Sequence, residues 1–181
     1  MEEIKNLYVL EWYGPYASID DIWNDDNTCD CSVYAITGKS KYERGNEYIK
    51  YIGITERDPA SRLSDKDHSQ KQKLINYKRY WVAKFSRTSN RNLRSHAELI
   101  EHLFIRYLSV QYDRIINDKK IKSCPKKPIA VISRWHKQTS GSTRVNKPQV
   151  LSELPDILVF DGCEYWGAGK LVRFLSEETI L

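Results

Sequence analysis

The sequence predicts an α+β fold: a small antiparallel three-stranded sheet flanked by helices, with a C-terminal α/β elaboration. Two β-rich runs, residues 31–37 and 47–54, are joined by a loop with two glycines and an asparagine, as in a long hairpin. Residues 80–85 alternate like a third strand, and residues 92–110 have the period of an amphipathic helix. We therefore expect a core domain over residues 31–118.

An acidic segment, residues 1–30, precedes this core. Leu7–Tyr13 is predicted to be a strand that ends at Gly14-Pro15, since both residues interrupt strands. Inside the core, Asp58 is a candidate helix N-cap because Pro59 suits the first helical position. That helix would carry the next arginine of the chain.

A basic C-terminal elaboration, residues 119–181, follows the core. It is predicted to contain strands over 129–132 and 155–161, a basic loop over 136–147 and a terminal helix over 171–181. A further short helix is expected inside the core, over residues 70–75.

Charge is unevenly distributed along the 181-residue chain, which carries 29 basic and 24 acidic residues. The first thirty residues hold eight of the acids and a single base, Lys5. The basic remainder favours DNA as a partner, because Lys and Arg displace counterions from phosphates. No run is apolar over the ~20 residues that span a bilayer, and the N-terminus lacks a signal-peptide pattern. We therefore expect a cytoplasmic protein without a membrane partner.

The four cysteines, Cys29, Cys31, Cys124 and Cys163, are too few for a disulfide scaffold. Cys29 and Cys31 have the spacing of half a zinc site, but the other two are isolated and no histidine pair has finger spacing. A zinc-stabilised interaction module stays an alternative class.

One carboxylate falls on the apolar side of the helix predicted over residues 92–110. A helical wheel places Glu101 beside an apolar stripe formed by Leu93, Ala97, Ile100, Phe104, Tyr107 and Leu108. The opposite side, expected to face solvent, contains Glu98, His102 and Arg106. A carboxylate in such a position costs several kcal/mol unless a cation satisfies it, so Glu101 predicts either a salt bridge or a metal ligand.

Four positions resemble the signature of the GIY-YIG nuclease family, over about residues 30–115. Ser32-Val33-Tyr34 stands where the first triplet belongs, and Tyr51-Ile52-Gly53 is a literal second triplet. Arg62 follows in a strand-to-helix turn, and the later helix is similar to the family's acidic helix in a register that selects Glu101. Serine replaces the glycine of the first triplet, and the span between the two tyrosines is longer than is usual in the family.

The resemblance implies a metal-dependent DNA endonuclease of restriction or phage/mobile-element type. It implies one Mg²⁺ or Mn²⁺ ion held by Glu101, which suits a hard cation that keeps most of its waters. Arg62 would stabilise charge on the transition state. Tyr34 would accept a proton from the attacking water, with His68 as a relay, and Tyr51 would position water or phosphate. A phenol needs a lowered pKa to act as a base near pH 7.

Residues outside this signature are candidates for nucleic-acid binding: Lys137, Arg144, Lys147 and Trp135 in the elaboration, and Asn117 after the acidic helix. The alternative is that residues 119–181 simply cover the open side of the sheet. Spaced carboxylates at Asp156, Asp161 and Glu164 suggest a different nuclease pattern, but its acid-x-Lys element is missing.

A second function class is a non-catalytic nucleic-acid-binding protein on a degenerate scaffold of the same family. Cleavage in the presence of Mg²⁺ but not of EDTA separates this class from the enzyme. Cutting both strands with one active site generally requires two copies, so a homodimer is expected if the protein makes double-strand breaks.

Overall fold

The computed structural model describes residues 4–28, 30, 32–65, 74, 76–86, 92–112, 114–138 and 147–168. The helices are α1 (Ile19–Trp23), α2 (Pro59–Ser64) and α3 (Leu93–Tyr112), with 3-10 turns at Asp26–Thr28 and Gln149–Leu151. The strands are β1 (Leu7–Tyr16), β2 (Val33–Lys39), β3 (Tyr48–Ile54), β4 (Asn76–Phe85), β5 (Ile129–Trp135), β6 (Ile157–Phe160) and β7 (Tyr165–Ala168). The helices expected over 70–75 and 171–181 lie outside the described residues, apart from Leu74.

These strands form one curled, mixed sheet of seven strands in the order β3-β2-β4-β1-β5-β6-β7. The prediction of a small antiparallel three-stranded sheet flanked by helices is therefore wrong. Strands β2, β3 and β4 pair antiparallel. The physical reason for the larger sheet is β1, which pairs antiparallel with β4 on one side and parallel with β5 on the other. Strands β6 and β7 then extend the sheet from β5.

The prediction that the first strand ends at Gly14-Pro15 is wrong. Strand β1 continues to Tyr16 through a register shift. Gly14 has a φ of +137°, and a Cβ there would lie 2.9 Å from both the Trp81 ring and the Tyr80 carbonyl oxygen. Only glycine fits this close approach without strain. The irregular step therefore keeps β1 against β4 instead of terminating it.

Both faces of the sheet are covered around β2, which explains why this strand is buried along almost its whole length. Helix α3 covers one face, where Phe104 packs near Trp12 with ring centroids 6.1 Å apart. Helices α1 and α2 cover the other face through Ile22 and Leu63. Helices α2 and α3 thus lie on opposite faces and both reach the edge of the sheet that β3 forms.

The segment after α3 returns along the side of that helix expected to face solvent. His102 Nε2 lies 2.8 Å from the carbonyl oxygen of Ser123, and Arg106 Nη1 donates to the carbonyl of Ile121 at 2.6 Å. Glu98 is exposed, but His102 and Arg106 are half-buried, so the expectation is wrong for those two. Within the described ranges, no helix combines the length and apolar character needed to cross a lipid bilayer.

Candidate active site

Tyr34 and Tyr51 lie on the same face of neighbouring strands at the β3 edge. The register pairs Tyr34 with Gly53 and Ile36 with Tyr51, which makes the two tyrosines diagonal neighbours. Their rings stack with centroids 6.0 Å apart and an angle of 24°.

Gly53 has a steric reason to be glycine. A Cβ at this position would overlap Cζ of Tyr34 and lie 2.5 Å from its hydroxyl oxygen. The Tyr34 ring therefore crosses β3 directly over Gly53. Because Gly53 has no side chain, the Tyr34 hydroxyl can reach the neighbourhood of Tyr51. The glycine of the Tyr51-Ile52-Gly53 triplet thus positions the first tyrosine rather than the second.

Burial decides the ionisation of both phenols. It is the largest of the causes that raise the pKa of Tyr34 far above its usual value, and the neighbouring Tyr51 raises it further. Arg62 acts in the opposite direction but does not offset burial. The pKa of Tyr51 is also raised, first by burial and then by the negative charge of Glu101. Both hydroxyls are therefore protonated at neutral pH, which opposes the expected role of Tyr34 as a proton acceptor.

Arg62 is held near the tyrosines by the start of α2. Oδ1 of Asp58 accepts from the Ser61 amide at 3.0 Å, and Pro59 occupies the first turn, as the sequence predicts. Arg62 donates to Oδ2 of Asp65 at 2.9 Å and also to the Tyr34 hydroxyl. Burial lowers the pKa of Arg62, but these hydrogen bonds more than compensate, so the guanidinium stays charged.

Glu101 projects from α3 into the same region and forms a salt bridge. Its Oε2 lies 2.5 Å from Nζ of Lys120, and 14% of the Glu101 side chain and 28% of the Lys120 side chain are exposed. Lys120 also lies 3.4 Å from the carbonyl oxygen of Glu98. The salt bridge is thus one of the two outcomes that the sequence predicts for a carboxylate at the edge of an apolar stripe. The described residues include no partner for the other oxygen, Oε1.

A cavity of about 690 Å³ brings these groups together. Tyr34 comes from β2, Tyr51 from β3, Arg62 from α2 and Glu101 from α3, although they are far apart in the chain. The remaining polar residues in its wall are Thr55, Glu56, Arg57, Arg94, Glu98, Asn117, Asp118, Lys119 and Lys120. Five basic and four acidic side chains line this wall, so its formal charge is +1, a small bias toward an anionic substrate.

Asn117 closes the free edge of β3 at the cavity. Its side chain mimics a strand partner for Ile52: Oδ1 accepts from the Ile52 amide at 3.1 Å, and Nδ2 donates to its carbonyl at 2.7 Å. The amide of Ile116 donates to the Lys50 carbonyl at 2.7 Å in the same row. Asn117 is therefore buried and positions the segment that carries Asp118 and Lys120.

The other candidates do not join this cavity. Lys147 pairs with Asp156 at 3.1 Å and is only 14% exposed, and Trp135 is buried with its Nε1 bound to the same carboxylate. Lys137 is exposed but does not line the cavity. His68 and Arg144 lie outside the described residues.

The donor set fits a hard cation better than a soft one. Glu101 and Asp118 line the cavity with carboxylate oxygens, and Mg²⁺ needs only one or two carboxylates because it keeps several waters. Among the described residues, no group of three or more His, Cys, Asp or Glu side chains is arranged so that it could hold a metal ion. Cys124 and Cys163 are exposed free thiols, whereas Cys29 and Cys31, the expected half of a zinc site, lie outside the described residues.

Sequence reasoning missed Lys120, Asp118 and Arg94 as parts of the site. The available signal was the run from Asn117 to Lys120, which places an amide, an acid and two bases after the acidic helix. Comparisons of the chain with protein-family models, with curated proteins and with solved structures found no match. The chemistry of the cavity is therefore the basis for assigning a function.

Proposed function

We propose that this protein is a metal-dependent DNA endonuclease that hydrolyses phosphodiester bonds. The proposal is supported by one observation: Tyr34, Tyr51, Arg62 and Glu101, from four different elements, line a single cavity. The same four positions carry the resemblance to GIY-YIG nucleases. Motif and geometry therefore favour the same chemistry.

Arg62 and the tyrosines would bind the phosphate. The guanidinium stays charged and presents a planar set of donors, which can stabilise the negative charge that develops on the phosphate oxygens. Tyr34 and Tyr51 keep their protons, so each would donate to a phosphate oxygen or orient the attacking water. This assignment differs from the role of a base that the resemblance implies for Tyr34.

Glu101, with Asp118 as a second oxygen donor, would hold the divalent cation, Mg²⁺ or Mn²⁺. When bound, such an ion neutralises phosphate charge and assists the departure of the leaving oxygen. Lys120 contacts the same carboxylate at 2.5 Å, so it must release Oε2 or share Glu101 with the ion. Once released, Lys120 is a further cation beside the substrate.

Glu101→Gln tests this proposal because it removes the charged ligand while keeping the shape of the side chain. We expect loss of Mg²⁺-dependent cleavage of mixed-sequence DNA by about a thousandfold, the range seen when an electrostatic catalytic group is removed. DNA binding in EDTA should persist. Glu47→Gln is the matched control, since Glu47 belongs to the β2–β3 hairpin at the other end of the strands.

Undiminished cutting by Glu101→Gln would show that the carboxylate holds no essential metal. Equal loss in both variants would indicate a general charge or folding effect instead, which a thermal unfolding curve of each variant identifies.

A second candidate function is non-catalytic nucleic-acid binding. The Lys120–Glu101 salt bridge favours it, because the carboxylate that a metal needs is already paired with a cation. DNA retardation in a gel, without cleavage in either Mg²⁺ or Mn²⁺, would support this function. Cleavage that EDTA abolishes would support the enzyme.

The ends of the products would define the type of nuclease. Double-strand breaks at a fixed sequence would indicate a restriction-type enzyme and two cooperating copies. Sequencing the products of a mixed library identifies the cleavage sequence. The mass of the protein in solution gives the number of copies.

A further inference from the structure

A second cavity, of about 500 Å³, adjoins the candidate active site. Glu98 and Lys120 line both cavities and form the border between them. The other residues that line the second cavity include Lys126 and Lys127 from the loop after α3, and His102 from α3 itself. A chain that leaves the active-site cavity past Lys120 would therefore run toward this lysine pair.

The loop that carries these lysines is fixed along α3. His102, Arg106 and Ser109, which follow one row of the helix, all contact backbone carbonyls of the loop at Ser123 or Ile121. Because three side chains of a rigid helix hold its backbone, the loop has a defined path beside the cavity.

Two prolines fix the lysine pair itself. Pro125 is buried, and the carbonyl of Pro128 accepts from Nδ2 of Asn6 at 2.8 Å. Proline restricts its own φ and the conformation of the residue before it. Lys126 and Lys127 are consequently exposed side chains on an anchored backbone, which reduces the entropy cost of binding.

Positive charge is in excess along both cavities. Of the described side chains in the two walls, seven are Lys or Arg and four are Asp or Glu. Glu98 is paired with Arg94 at 2.7 Å, so its charge is already balanced. Within the part of the chain that the structure describes, neither Lys126 nor Lys127 forms an ion pair. Both lysines also line a third cavity with Asp161 and Glu164, but neither is held in an ion pair by these carboxylates.

We propose that the groove from Lys120 to Lys126 and Lys127 binds the phosphate backbone of the DNA whose scissile bond enters the adjacent cavity. This inference rests on the proposed function and assigns DNA contact to the loop over residues 119–127 instead of to Lys137 and Lys147. Lysine ammonium groups suit this role because they bind phosphates as point charges without base specificity.

The test is a double substitution, Lys126→Ala with Lys127→Ala, in the full chain. Binding of a labelled duplex is measured by fluorescence anisotropy in EDTA, over roughly 50 to 200 mM salt. We expect about tenfold weaker binding at the lower salt concentration and a salt slope that is less steep by about 2, because each lysine neutralises one phosphate. The control is Lys41→Ala with Arg44→Ala, which removes two charges from the hairpin at the far end of β2.

An unchanged affinity and salt slope in the Lys126/Lys127 variant would disprove DNA binding by the groove. An equal change in the hairpin control would disprove it as well. The measurement is independent of catalysis because EDTA is present. A protein that shows the slope difference but never cleaves DNA would therefore retain the groove and disprove the endonuclease.

Discussion

Two of the carboxylate–lysine pairs in the described part of the chain lie in contrasting surroundings. Asp156 and Lys147 lie 3.1 Å apart beside β5 and β6, with side chains 2% and 14% exposed. Glu101 and Lys120 lie 2.5 Å apart at the β3 edge, with side chains 14% and 28% exposed. The chemistry of the two pairs is the same, so their different surroundings determine what each can do.

The Asp156 pair is enclosed by fixed donors and acceptors. Trp135 Nε1 donates to Asp156 at 3.0 Å, and Lys147 donates to the Leu154 carbonyl at 2.6 Å. The Glu101 pair instead opens onto a cavity that is also lined by two phenols and three arginines. A buried pair with its own hydrogen-bond network therefore stabilises the fold, whereas a pair in a cavity wall can exchange its cation.

The largest expected effect is a difference in the stability that is lost when the carboxylate of each pair is removed. Asp156→Ala leaves the Lys147 ammonium buried without its partner and should lower the free energy of unfolding by about 3–5 kcal/mol. Glu101→Ala should cost only about 1 kcal/mol, since Lys120 can turn toward water. Urea denaturation of both variants measures the difference. Equal losses of stability would show that the two pairs are energetically alike.

The second prediction concerns the packing of Tyr34 over Gly53, beside the Glu101–Lys120 pair. Gly53→Ala forces the new methyl group into the Tyr34 ring and should destabilise the protein by about 1–3 kcal/mol, as overpacking does. In a Tyr34→Ala background the same change should cost much less, because the clash is gone. A double-mutant cycle of unfolding free energies measures this coupling. Additive losses of unfolding free energy would show that a side chain at position 53 does not clash with the Tyr34 ring.

The smallest effect tests cation exchange directly. Lys120→Met removes the ammonium that competes for Glu101, so Mn²⁺ should bind about three- to tenfold more tightly, the range expected for an exposed to partly buried pair. Isothermal titration calorimetry measures this affinity without any need for cleavage. Lys119→Met, in the same cavity wall, is the control and should change the affinity less. Weaker binding in Lys120→Met would show that the lysine supports the metal site.

Local patterns predicted the local parts of the structure. The alternating runs and the glycine-containing loop located β2 and β3, and the Asp58-Pro59 start located α2. The wheel placed Glu101 at the edge of the apolar stripe of α3, where the structure has it. In each case the signal lies within a few residues, so propensity and periodicity are sufficient.

Contacts between distant residues were not predicted. The parallel pairing of Trp12 with Trp135 depends on backbone hydrogen bonds that no local pattern specifies. The partner of Glu101 was not predicted for the same reason. Lys120 reaches this carboxylate because its loop returns along α3. The seven-stranded sheet and the occupied carboxylate are thus both consequences of long-range packing.

The central position of β1 has a consequence for how the chain is made. This strand leaves the ribosome well before its two neighbours, β4 and β5, have been synthesised. At about 5–20 residues per second, Trp12 waits roughly 6 to 25 seconds before Trp135 exists to pair with it. Until both neighbours exist, the apolar residues of β1 lack the sheet contacts that bury them in the folded protein. Transiently exposed apolar surface of this kind is where aggregation begins and why chaperones are needed.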